Sequence, residues 1–86
     1  MASDYLDYTA FSRQGLIDQL VFEGFAADVA AAAVDSLNVS WREQAALMAQ
    51  DYLDYTAFSR QGLIDQLVFE GFTLKQAVYG VTAVGL

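Results

Sequence analysis

Carboxylates dominate the reactive side chains of this 86-residue chain: Asp4, Asp7, Asp18 and Glu23, then Asp51, Asp54, Asp65 and Glu70. Paired carboxylates can move protons or hold a hard cation. Either use needs a cleft with a shifted pKa or a ligand spacing. These acids instead fall off the apolar stripes, as a solvated face does, and no calcium-loop pattern occurs. Ser12 and Ser59 have no histidine to activate them, because the chain contains none, and it has no cysteine either. Both serines read as helix N-caps. No catalytic residue, metal ligand or cofactor site is expected, and the chain reads as a non-enzyme.

What the acids suit is recognition. Tyrosine beside aspartate fits a basic, partly apolar protein partner. The predicted contact surface is Asp7, Tyr8, Asp18 and Glu23 with Asp54, Tyr55, Asp65 and Glu70. Duplex nucleic acid is disfavoured as a partner. It draws affinity from Lys and Arg, and the chain has three Arg and one Lys against 11 acids. The helix that would read bases offers only Lys75 and Gln76. A structural role is the main alternative: an assembly or built scaffold unit of no assigned function, present as a monomer or as a dimer that exchanges helices. A DNA-binding helix-turn-helix ranks third.

The elements that position these residues come in two copies. Residues 4–25 and 51–72 share one sequence, DYLDYTAFSRQGLIDQLVFEGF, at an offset of 47. Recent duplication, deliberate construction or a surface needed twice would each produce such identity. Beyond the block, Ala30 matches Ala77 and Val34 matches Val81, and little else agrees. Each block carries four acids and one arginine, so nearly all of the net charge of −7 lies in the duplicated segments. The chain is otherwise 56% hydrophobic, too apolar for a disordered tail, and of a length for one compact domain. No apolar run is long enough to span a membrane, and the N-terminus does not read as a signal peptide.

The expected fold is all-α: two tandem three-helix, helix-turn-helix-like repeats packed as one small domain, residues 1–39 and 40–86. Ser40-Trp41-Arg42-Glu43 reads as a capping box opening a helix to about Ala57, with a seam of Trp41, Ala45, Met48, Tyr52 and Tyr55 widened by Ala49 and Leu53. Ser59 caps the next helix, which should bury Leu63, Ile64, Leu67 and Val68. Gly71 fits the left-handed position after it, with Phe72 folding back. Thr73 to Gln76 reads as another capping box. The last helix should bury Leu74, Ala77, Val78 and Val81 and end near Ala83, leaving Gly85 and Leu86 frayed. The first copy opens near Ser3 with a shorter first helix. Its third helix, over 27–36, lacks a Thr cap, and Asp28 compensates through the helix dipole. Leu37-Asn38-Val39 connects the copies. Arg13 and Arg60 each open a helix, where the dipole disfavours a cation, so pairing with Asp7 and Asp54 is expected. All six glycines read as local punctuation. Tyr5, Tyr8 and Phe11 step by three, as do Tyr52, Tyr55 and Phe58. With Val21, Phe22 and Phe25 there are more large apolar groups than so small a unit can bury, so some should line a groove or an exposed patch.

The run YLDYTAFSRQGLIDQLVFEGF followed by TLKQAVYGV, preceded by WREQAALMAQ, resembles the repeat of the Ltp family, the host cell surface-exposed lipoproteins. The shared frame falls on Ala49, Tyr52, Leu53, residues 58–64, Gln66, Leu67, residues 70–72, Gln76, Ala77 and residues 79–81. The resemblance implies tandem helix-turn-helix repeats and an extracellular or cell-surface setting, tethered by lipid. For phage-encoded members it implies superinfection exclusion, in which contact with a basic tail component such as the tape-measure protein blocks DNA injection. The first copy departs from the frame, with Val29 and Ala32 where the second has Gln76 and Tyr79, and no lipidated cysteine stands in this sequence.

Overall fold

A computed structural model describes residues 2–86, with side chains from Asp4 onward. Six helices follow one another: α1 (Ala2–Tyr8), α2 (Arg13–Phe22), α3 (Ala27–Asp35), α4 (Trp41–Tyr55), α5 (Arg60–Phe69) and α6 (Leu74–Ala83). There is no strand among the described residues. The expected cap Ser3 lies outside the residues whose side chains are described. α1 begins one residue before it.

Local chemistry sets most boundaries. Ser12 and Ser59 sit in extended backbone, and each hydroxyl accepts the N–H two turns' start requires, from Gly15 and Gly62. Thr73 and Gln76 form the full reciprocal capping box. α5 ends in a Schellman arrangement: Gly71 at φ 106° donates to the Val68 carbonyl at 3.0 Å, and Phe72 donates to Leu67 at 3.1 Å. Gly85 and Leu86, expected to fray, make the same closure on Thr82 and Val81. α4 stops at Tyr55, two residues short of expectation, because Thr56 turns extended (φ −162°) and carries the chain towards the Ser59 cap.

The Ser40–Glu43 capping box does not form. Ser40 makes no side-chain cap bond. Glu43 instead accepts a 2.6 Å hydrogen bond from the Tyr79 hydroxyl, while the Arg42 guanidinium lies 5.1 Å from the same ring's centroid. This contact ties α4 to α6 and holds the Tyr79 phenol above its ordinary pKa, because the adjacent carboxylate disfavours a phenolate. The first repeat has Ala32 at that position and lacks the tie.

Each repeat has its own apolar cluster. Leu16, Ile17, Leu20, Ala30 and Val34 form one, with Trp41 packed against it. Ala45, Ala49, Leu63, Ile64, Leu67, Phe72, Ala77 and Val81 form the other. The two matches that survive beyond the identical block, Ala30 with Ala77 and Val34 with Val81, are all core residues. Three residues assigned to apolar seams lie outside the core. Leu74, Val68 and Tyr55 are exposed. Leu74 sits at the first position of α6. Val68 belongs to the last turn of α5, and Tyr55 to the last turn of α4.

The arginines also find other partners. Arg13 makes two hydrogen bonds to Asp35, at 2.6 and 2.9 Å, rather than pairing with Asp7. Arg60 donates to the Thr82 hydroxyl at 3.2 Å rather than to Asp54. Asp35 and Thr82 are equivalent positions, 47 apart, so both arginines tie the start of a repeat's second helix to the end of its third. The Arg13 guanidinium holds the Asp35 carboxyl below the usual aspartate range.

Candidate functional site

Helix ends create the candidate site. The step-by-three tyrosines break where α1 and α4 stop. Tyr5 and Tyr52 stay partly buried, each meeting Phe11 or Phe58 edge to face at 5.9 and 5.6 Å between centroids. Tyr8 and Tyr55, one turn further on, are 90% and 92% exposed. Phe22 and Phe69, at the ends of α2 and α5, are exposed as well. The aromatic excess is therefore displayed at equivalent places in the two copies, not buried.

The tyrosines line two clefts. The first, about 400 Å³, lies between the turn 9–15 of the first repeat and a wall of Asp51, Tyr52, Tyr55 and Glu70 in the second. The other, about 380 Å³, is lined by Asp4, Tyr5, Tyr8 and Glu23, the same four positions in the first repeat. Of the eight predicted contact residues, Tyr8 thus joins Glu23 and Tyr55 joins Glu70. Asp7, Asp54, Asp18 and Asp65 line neither cleft. Asp54, Asp18 and Asp65 are exposed and accept hydrogen bonds from the glutamine one turn earlier on their own helices, Gln50, Gln14 and Gln61.

In the first cleft Tyr52 donates to Glu70 Oε1 at 3.1 Å and accepts from Gln66 Nε2 at 3.2 Å. Partial burial pushes the Tyr52 phenol above its ordinary pKa, and the Glu70 carboxylate adds to the shift. No group of three or more His, Cys, Asp or Glu able to hold a metal ion occurs among the described residues.

Residue types alone did not single out the join between repeats. Ser12 is 1% exposed because its hydroxyl, besides capping α2, donates to the Glu70 carbonyl at 2.6 Å. The Phe11 N–H donates to the Gln44 side chain at 3.1 Å. Ser59, identical in local sequence, is exposed and only caps. Ser59→Ala is expected to cost about 1 kcal/mol, as a lost cap. Ser12→Ala should cost about 2 kcal/mol, because a carbonyl at the join also loses its donor. Urea unfolding of the two variants measures the difference, and equal losses would mean that the Ser12–Glu70 bond contributes nothing.

Six helices and no strand among the described residues, with a solvated array of tyrosine and carboxylate displayed twice by a duplicated sequence block, define a small all-α module. Residues 1–37 and 40–84 each match the family model described as host cell surface-exposed lipoprotein, and the chain belongs to that family. No curated protein and no solved structure matches the chain. No helix among the described residues is long and apolar enough to cross a membrane.

Proposed function

We propose that the chain is a non-enzymatic, acidic protein-binding module that works at the cell surface and engages a basic, partly apolar partner. The observation that carries the reading is the solvated pair of Tyr8 and Tyr55, each sharing a cleft with two carboxylates at equivalent positions in the two repeats. Exposed tyrosine offers a large amphipathic contact at low entropic cost, and the surrounding acids steer a cationic partner. Each identical block concentrates four acids against one arginine, so the field is local to the surface that would bind. Membership in the surface lipoprotein family supports an extracellular setting. The reading extends, for a phage-borne member, to superinfection exclusion through a tail component such as the tape-measure protein.

The test is titration of the chain with a basic segment of a tape-measure protein at rising salt. Affinity should fall about tenfold between roughly 50 mM and 500 mM NaCl, since the Debye length shrinks well below the spacing of the charges. Asp18→Asn with Asp65→Asn should lower the association rate about threefold while leaving far-UV circular dichroism unchanged, because both side chains are solvated. Binding that ignores both salt and the double substitution would rule out the electrostatic reading.

A further inference from the structure

The join between the repeats is not symmetric. One side is a turn, 9–15, which presents Ala10 and Ser12. The other is a wall ending in Glu70 and Gly71. The fit there is close: a Cβ on Gly71 would lie 2.7 Å from Ser12 Oγ and 3.1 Å from Gln14 Cβ. The join also sets the N-terminus of α2 against the C-terminus of α5, the favourable head-to-tail order for two helix dipoles.

Because residues 4–25 and 51–72 are identical, each repeat carries both halves of this contact. The chain uses the turn of the first and the wall of the second. The turn of the second and the wall of the first face solvent. Ala10 and Ser12 are buried, whereas their equivalents Ala57 and Ser59 are exposed. The Ser59 hydroxyl accepts from the Gly62 N–H at 2.9 Å, as Ser12 does from Gly15 at 2.8 Å, and its proton meets no acceptor among the described residues. On the other side Glu23 and Gly24 repeat the backbone of Glu70 and Gly71, with φ 107° at Gly24 against 106° at Gly71. A Cβ on Gly24 would meet nothing within 4 Å. The cleft beside it is lined by Asp4, Tyr5, Tyr8 and Glu23, the positions equivalent to the wall residues Asp51, Tyr52, Tyr55 and Glu70, but lacks the opposing turn.

We propose that the cleft of Asp4, Tyr5, Tyr8 and Glu23 takes the turn 56–62 of a second copy of this chain, with Ser59 Oγ donating to the Glu23 carbonyl. The contact reproduces between chains the join already made within one. It is heterologous: every chain added leaves one turn and one wall exposed, so assembly runs head to tail, past a dimer, unless the rotation closes a ring. The net charge of −7 opposes self-association, which therefore holds or strengthens when salt screens it. That behaviour is opposite to binding of a basic partner, so the two readings fail independently.

Sedimentation equilibrium of the whole chain in about 0.5 M NaCl, up to about 1 mM, reads contacts far weaker than those of standard-size interfaces. The weight-average mass should climb with concentration and pass that of a dimer. Ala57→Glu blocks the turn at a solvated position, and Gly24→Asn fills the wall with the residue that best tolerates a positive φ. Each variant alone should stay monomeric. Mixed in equal amounts they should form a discrete dimer, because each retains the half that the other lacks. Circular dichroism verifies folding, and Tyr8→Lys, at a 90% exposed position on the same wall, serves as a second wall variant that opposes Arg60 of the incoming turn. A wild-type chain that is monomeric throughout overturns the proposal. So does a mass that saturates at a dimer in both wild type and Ala57→Glu, which would indicate exchange of helices, and so does a mixture that fails to associate.

Discussion

Gly80→Val should lower the stability of the chain by about 3 kcal/mol and its melting temperature by roughly 15 °C, the largest effect expected from any glycine here. Gly80 lies where α6 crosses α4. An added Cβ would stand 2.6 Å from the Ala45 carbonyl carbon, 2.8 Å from its oxygen and 2.8 Å from the Ala46 nitrogen. All three are backbone atoms of a helix, so no rotamer change relieves the clash and the helices must separate. For a chain of this length, whose total stability is about 4 to 13 kcal/mol, such a loss is a large share. Gly80→Ala is the sharper variant. Helix propensity alone would make it stabilising by about 1 kcal/mol. The close crossing reverses that sign, to a net loss of about 1 to 2 kcal/mol. A thermal melt showing Gly80→Ala more stable than wild type would mean that α4 and α6 do not approach so closely. The first repeat has Ala33, partly buried against its own cluster, at the position equivalent to Gly80, so a methyl group is accommodated there.

That glycine also marks where reading the sequence stops. Caps and helix ends were legible at Ser12, Ser59, Thr73 and Gly71 because their chemistry is settled within a few residues. Gly80 reads as a weak spot in a helix until the helix lying across it is known, and treating every glycine as local punctuation missed it. The Ser40–Glu43 pair failed for the same reason: a local motif lost its glutamate to Tyr79, 36 residues away. For Arg13 and Arg60 the nearest acids were the wrong partners, although the offset of 47 pairs Asp35 with Thr82 and could have pointed to the third helices. The candidate surface divides likewise. That the acids are solvated follows from their positions off the apolar stripes. That Tyr8 shares a cleft with Glu23 does not, since it depends on how the end of α2 packs beside α1. The identity of the blocks hid a further point: equal sequences do not imply equal surroundings, and Ser12 and Ser59 differ from buried to exposed with no change in the residues beside them.

Phe72→Ala against Phe25→Ala turns that inequality into a measurement. The two phenylalanines end identical blocks and make the same backbone closure, donating to Leu67 and Leu20 at 3.1 Å. Phe72 is 3% exposed in a cluster that includes Ala77, Val81 and the α4 residues Ala45 and Ala49. Phe25 is only partly buried, since the first repeat has a shorter opening helix and an alanine-rich α3 to set against it. Truncating a fully buried phenylalanine costs about 4 kcal/mol, and the partly buried one should cost about half as much. Losing that much from one cluster should also uncouple the repeats, because the join rests on few bonds, chiefly Ser12 to Glu70 and Phe11 to Gln44. Trp41 is the only tryptophan and packs against the first cluster, so its fluorescence follows the first repeat while far-UV circular dichroism follows both. In Phe72→Ala the dichroism transition in urea should begin before the fluorescence transition. In Phe25→Ala the two should coincide or reverse in order, since there the weakened cluster is the one the tryptophan reports. Coincident transitions in both variants, with equal losses of stability, would mean that the two clusters unfold as one cooperative unit and that the identical blocks are energetically interchangeable.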